Sequence, residues 1–213
     1  MIKSLPTRNK VNKARDASIW DHGNRLLYDL CTKDRLHNNR EITLTKILFI
    51  GRIYAAAVER IIRKNQEMKL TSDKFYTQKV IPKLINNKIW ERMENLRGLE
   101  KGSTESIVLA LYIHSQLVDR LKTITNNEKR SLASKYLHFH MPDYFYLYDS
   151  RAEKKIRDYI GNLPAAHLDK FKSKKNDSKY SKFYLKADCL KNAIACEYKI
   201  KLSPRQIDNL LIK

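Results

Sequence analysis

The sequence predicts an all-α protein, and three observations carry that prediction. Apolar residues recur at spacings of three and four through most of the chain, the period of a helix with one buried face. Ser, Thr and Asp stand just ahead of several of these stripes, where a helix needs a side chain to cap its free N–H groups. No segment alternates apolar and polar residues between hairpin turns, as a half-buried strand would. At 213 residues the chain can form one domain with a sizeable core, or two small lobes sharing a cleft.

Taken in order, residues 1–16 are basic and polar and read as a loose arm. Ile19, Trp20, Gly23, Leu26, Leu27 and Leu30 mark a helix over 17–31, which the polar run His37 to Arg40 closes. From Thr43 to Gln66 a continuous stripe, Leu44, Ile47, Leu48, Gly51, Tyr54, Ala55, Val58, Ile61 and Ile62, predicts one long helix. Gly51 and the alanines at 55–57 would let another helix approach it closely, and Glu59 is spaced to pair with Arg63. Arg52, Tyr54 and Glu59 read as braces between helices, with lining a cleft as the alternative.

Thr71-Ser72-Asp73 offers a cap for the segment carrying Phe75, Tyr76 and Val80, which Pro82 should interrupt. Ile89, Trp90, Met93 and Leu96 mark a helix ending at Gly98. Ser103 or Thr104 caps the next, to about Leu121, with His114 as a core residue on its apolar face. A polar turn at 123–129 leads to a helix from about Ser131 to just before Pro142. Tyr144 to Tyr148 is too short and too aromatic for a solvated loop, so a buried extended link is expected. Ser150-Arg151-Ala152-Glu153 fits a capping box with Ser150 as the cap, and Gly161 ends that helix. Residues 167–182 read as a mobile lysine-rich loop, either touching phosphates or simply solvated. A long helix follows to Tyr198, and Ser203-Pro204-Arg205-Gln206 starts a last one.

Charge narrows the function. Lys and Arg number 43 against 23 acidic residues, for a net +20 and a pI of about 9.8. That excess is out of keeping with an enzyme for small neutral substrates and favours a polyanion, whose bound phosphates release condensed counterions. The three cysteines, Cys31, Cys189 and Cys196, are too few and too scattered for a disulfide framework or a CxxC metal pair. This fits a reducing, cytoplasmic compartment, with nucleoid association following from the charge. No apolar leader or membrane-length apolar run is present.

Reactive residue types concentrate in 128–151. Lys135 and His138 share a helix face with Ser131, and Asp149 stands just before the following helix. His138 and His140 point roughly 200° apart on a helix, so they cannot share a metal. No metal, cofactor, Gly-rich phosphate loop, GxSxG elbow or HExxH pair is expected.

Two helices over about 104–141 with a basic turn between them, a lysine just inside the second, and an aspartate capping the next helix together resemble the helix-hairpin-helix DNA glycosylases. The resemblance is to those with the fold of 8-oxoguanine DNA glycosylase. The phrases Ser-Leu-Ala-Ser-Lys-Tyr-Leu-His-Phe-His and Tyr-Leu-Tyr-Asp-Ser-Arg, with Ile-Gly-Arg-Ile-Tyr-Ala-Ala-Ala-Val-Glu-Arg at 50–60, are similar to short prokaryotic proteins of that fold. Asn126, Asn127 and Glu128 stand where the family's hairpin carries Gly-Val-Gly.

The resemblance implies a single two-lobed, all-α glycosylase-like domain over 1–213, monomeric, with a central cleft. Its partner would be duplex DNA, gripped by the phosphate backbone with one base flipped out. Lys135 would be the nucleophile and Asp149 the assisting carboxylate. Lys129, Arg130, Ser131, His138, Tyr148 and Arg151 would bind substrate, with Trp20 and Trp90 as further candidates for the base pocket. The implied activity is a DNA N-glycosylase with abasic-site lyase activity, in base excision repair or in defence against modified foreign DNA. The alternatives are a non-catalytic nucleic-acid-binding module on the same scaffold and, third, an interaction protein whose basic face meets an acidic partner.

Overall fold

The computed structural model describes residues 1–59, 70–171 and 176–212, and their regular structure is helical apart from one isolated antiparallel bridge between Ile2 and Ile160. The helices are α1 (Arg8–Lys13), α2 (Asp21–Thr32), α3 (Arg40–Ile53), α4 (Ser72–Phe75), α5 (Ile81–Leu84), α6 (Lys88–Arg97), α7 (Thr104–Thr125), α8 (Arg130–His140), α9 (Ser150–Tyr159), α10 (Ala165–Asp169), α11 (Ser178–Tyr198) and α12 (Pro204–Ile212). Among the described residues no helix is long and apolar enough to cross a membrane.

Two apolar clusters organise these elements. The first is built mainly from α2 to α8 and includes Leu27, Ile50, Phe75, Trp90, Leu117 and Phe139. The second joins α1 to the later helices through Val11, Ile156, Phe183, Ile194 and Ile207. Burying one such side chain contributes about 1.5–3 kcal/mol relative to leaving it in water. Helix α7 serves both, with Ile113 and Leu117 in the first cluster and Ile107 and Leu111 in the second. The link from Tyr144 to Tyr148 is buried throughout, as expected. Its Tyr144 and Phe145 enter the first cluster, while Tyr146 and Tyr148 enter the second, so the link passes from one cluster to the other.

Several caps agree with the sequence. The Ser103 hydroxyl accepts from the Ser106 N–H at 3.1 Å. Ser203 and Gln206 cap each other's N–H groups, at 3.2 and 2.9 Å. Helix α7 runs one turn beyond Leu121 and ends at Asn126, whose φ of +53° is the left-handed conformation that usually closes a helix with glycine. Asparagine tolerates that region, so the turn into α8 forms without glycine.

Other expectations need correction. The helix expected from Thr43 to Gln66 begins at Arg40 and stops at Ile53; residues 60–66, with the Glu59–Arg63 pair, lie outside the described residues. Ala55 takes φ +52° and its neighbour Ala56 donates an N–H to the Gly51 carbonyl at 2.7 Å, so the chain turns back on itself. A Cβ on Gly51 would stand 3.2 Å from the Ala57 backbone, so the close approach is to this returning chain and not to another helix. Among the described residues Glu59 pairs with Arg52 at 3.0 Å and accepts the Tyr76 hydroxyl.

Pro82 does not interrupt its segment. A π-helical turn at Tyr76–Val80 lets the Ile81 N–H reach back five residues to Tyr76, and α5 continues through the proline at its start. The helix expected over 17–31 begins only at Asp21, which leaves Ile19 and Trp20 exposed. Its inner face carries Asn24, Leu27 and Cys31, while Leu26 faces solvent.

The arm at 1–16 is docked, not loose. Lys3 N–H donates to the Tyr159 carbonyl at 2.8 Å, Gly161 N–H donates to the Met1 carbonyl at 2.7 Å, and Val11 and Ala14 are buried. The lysine-rich loop shrinks too: 167–169 belong to α10 and 178–182 to α11, while Lys172, Lys174 and Lys175 lie outside the described residues.

Candidate active site around Lys135

Helix α8 is wedged into the protein, and every residue from Leu132 to His140 is buried. Lys135 in its second turn keeps only 7% of its surface exposed. Its Nζ donates to the Tyr54 carbonyl at 3.3 Å and lies 5.8 Å from the centre of the Tyr54 ring. That carbonyl belongs to the residue that closes α3, where helix termination leaves backbone oxygens without intrahelical partners. The break in α3 therefore creates the acceptor that holds the lysine.

Tyr54 joins four helices. Its hydroxyl donates to the buried Asn24 of α2. The Arg205 guanidinium of α12 lies 5.5 Å from its ring centre. Arg205 also reaches Asp208 one turn on, at 3.2 Å. Asp208 is only 5% exposed, and burial pushes its carboxyl up to about 6, with Asp149 adding to the rise and Arg205, Lys135 and Arg151 opposing it.

Asp149 caps α9, its carboxylate accepting the Arg151 and Ala152 N–H groups at 3.0 and 2.9 Å. The cap is thus Asp149 and not Ser150. Glu153 instead takes the Tyr148 hydroxyl at 2.6 Å and the Arg157 guanidinium at 2.7 Å. Burial holds the Lys135 amine below the usual lysine range; Asp149 and Asp208 pull it back up, and Arg151 and Arg205 push it down. Lys135, Asp149, Arg151, Arg205 and Asp208 thus form one electrostatic cluster contributed by α8, α9 and α12. Such a cluster can present a buried amine with an enlarged neutral fraction within the electrostatic reach of two carboxylates, a setting a lysine nucleophile or proton-transfer site uses.

The other sequence-identified residues divide into two groups. His138 backs the cluster and is fully buried. Its Nδ1–H donates to the Phe145 carbonyl at 2.8 Å, so its Nε2 accepts the Tyr28 hydroxyl at 2.8 Å. Burial lowers it to about 4, which leaves a neutral imidazole with both nitrogens engaged. Lys129, Arg130, Ser131 and Tyr148 line a separate hollow of about 260 Å³ with Ala55, Ala56 and Ala57. Within it Arg130 is held by Asp177 at 2.6 Å and by Glu128 at 2.5 Å, and Asp177 also caps α11 by accepting the Tyr180 N–H at 2.9 Å. The turn before α8 is thereby fastened to the start of α11.

Trp90 is fully buried, stacked on His37 at 3.7 Å, with its indole N–H on the Leu84 carbonyl, so it is a core residue. His114 is equally buried, stacked on Tyr180 at 3.5 Å, with Nε2 directed at the Arg130 carbonyl and Nδ1 left without a partner.

Sequence reasoning missed Asp208 and Arg205. A signal was present: Pro204, Ile207, Asp208 and Leu211 are spaced i, i+3, i+4 and i+7, so an acidic residue interrupts an apolar stripe. A carboxylate in that position requires a cation or a function. Comparison with family models, with curated proteins and with solved structures returned no match, and the cluster's chemistry is therefore read from its own geometry.

Proposed function

We propose that this protein is a DNA N-glycosylase with abasic-site lyase activity, acting in repair or in defence against modified foreign DNA, with Lys135 as its nucleophile. The observation that carries the reading is the Lys135 amine, 7% exposed and held below its usual range by burial, with the charges of Asp149 and Asp208 opposing that fall. The net charge of +20 supports a phosphate-rich partner.

In this reading a nucleotide is drawn out of the duplex and its sugar set against Lys135. The neutral amine forms a bond to C1′ as the bond to the base breaks, and the base departs with that electron pair and takes up a proton. Loss of a proton from the new ammonium and opening of the sugar ring give an iminium. Removal of a C2′ proton then expels the 3′ phosphate and cuts the strand. Asp149, fixed by two backbone N–H groups, stabilises positive charge on the sugar and accepts protons.

Borohydride trapping on duplex DNA carrying an abasic site tests this. The intact protein should form a covalent adduct, and Lys135→Gln should form none while still binding DNA. Salt-sensitive binding with no adduct and no base release would instead assign a non-catalytic module. The bond from Lys135 to the Tyr54 carbonyl favours that second reading, because a purely structural lysine would make it too.

A further inference from the structure

A second basic feature lies away from Lys135, where the amino-terminal segment, α9 and α11 meet. A hollow of about 620 Å³ opens there, lined among others by Lys3, Arg157, Lys179, Lys182 and Lys186. Lys179, Lys182 and Lys186 are spaced i, i+3 and i+7, so they share one face of α11. Arg157 comes from the last turn of α9. Lys3 is delivered by the docking of the amino-terminal segment on Tyr159 and Gly161, and a Cβ on Gly161 would stand 3.2 Å from the Lys3 side chain.

Among the lining residues the single carboxylate is Glu153, already engaged by Arg157 and by the Tyr148 hydroxyl. Among the described residues no other ion pair forms at this hollow. The cations repel one another: after burial, Arg157 and Lys3 are the largest influences lowering the Lys186 amine, and Lys182 adds to them. Like charges gathered in one concavity are relieved by an anion with several oxygens, which one surface lysine would not select.

We propose that this hollow is a phosphate-binding site that takes backbone phosphates of a nucleic-acid strand, held by Lys182 and Lys186 of α11, Arg157 of α9 and Lys3. It extends the protein's footprint beyond the Lys135 cluster. Asp149 caps the start of α9 and Arg157 lies eight residues on, about 12 Å along the axis at 1.5 Å per residue. That distance equals roughly three to four base steps of duplex. The inference does not depend on Lys135 reacting, because a non-catalytic binder would use the same site.

The test is the salt dependence of binding by the full chain to a labelled 20-base-pair duplex. Lys182→Gln/Lys186→Gln is compared with Lys83→Gln/Lys88→Gln, which removes the same charge from exposed lysines near α5 and α6. Loss of two phosphate contacts should reduce the slope of log Kd against log salt by about 1.8 in the first variant and leave it near wild type in the second. An equal fall in both variants would mean undirected surface charge and would overturn the site. A second arm adds inorganic phosphate against chloride at matched ionic strength and reads Tm. A rise seen in wild type and lost in Lys182→Gln/Lys186→Gln, with no change in the DNA slope, would keep a phosphate site but overturn the nucleic-acid source. No effect in either arm overturns the proposal entirely. Borohydride trapping through Lys135 is a separate readout, so failure here is distinguishable from failure of the glycosylase reading.

Discussion

Replacing Asp208 with asparagine should change how stability depends on pH, by an amount the structure sets. Burial raises the folded carboxyl from its usual 3.8 to about 6. The folded protein therefore holds this proton more tightly than the unfolded chain. The stabilising contribution is complete below about 4 and is lost as pH rises through about 6. The shift corresponds to about 3 kcal/mol at 1.36 kcal/mol per unit. Asparagine has no such proton and removes this dependence; the ion pair with Arg205 weakens in wild type as Asp208 takes up its proton, and its effect is already contained in the folded value of about 6.

The buried histidines act in the opposite sense. His37 and His114 are lowered to about 3 and His138 to about 4, so their contribution is complete above 6.5 and falls as acid protonates them. The Asp208 effect must therefore be read as a difference. Urea unfolding of wild type and Asp208→Asn at half-unit steps from pH 4 to pH 7.5 supplies it. Wild type should lose up to about 3 kcal/mol relative to the variant across this window. Parallel profiles would refute the reasoning and would place an ordinary carboxylate at position 208.

Three further outcomes follow. Asp149→Ala should cost about 1 kcal/mol through loss of the α9 cap, whereas Asp149→Ser should restore most of that stability; if the carboxylate also serves chemistry, both variants should lose adduct formation with abasic DNA. Asp177→Ala should cost roughly 3 kcal/mol in urea unfolding, because it removes the α11 cap and a charge-assisted bond to Arg130 together. Ala55→Gly should stabilise the fold by about 1 kcal/mol, since Ala55 holds φ +52° where glycine carries no Cβ penalty; an unchanged or lower midpoint would contradict the assigned turn.

Features encoded by neighbours in sequence were legible. The caps at Ser103 and Ser203 and the buried Tyr144–Tyr148 link each depend on residues within a few positions of one another. The site roles of Lys135 and Asp149 came only from a resemblance; in the structure Asp149 is one of several charges that act on the buried Lys135 amine.

What escaped depends on distant contacts. The stripe through Tyr54 and Ala55 continues the helical period without a break, and alanine is the strongest helix former, so nothing local announces that the chain turns back there. Tertiary packing overrides the propensity, with Ala57 and Val58 folded back into buried positions. In α2 the eye follows Leu26 and Leu30, yet the face that packs inward carries Asn24, because Asn24 meets the Tyr54 hydroxyl from 30 residues away. The Asp208 contribution was missed for the same reason: Arg205 is local, but Lys135 and Asp149 are not.

Tyr54, Lys135 and Asp208 also impose an order on assembly. The ribosome delivers the chain from its amino end, so Lys135 emerges long before Asp208 can reach it. Helix α12 is secured by the opposite end of the sequence, with Asn209 donating to the Ala14 carbonyl across 195 positions. Closing so large a loop is slow, since its entropy is spent before the contact returns anything. Until α12 seats against α1, Lys135 lacks the Asp208 and Arg205 charges that α12 brings to its surroundings.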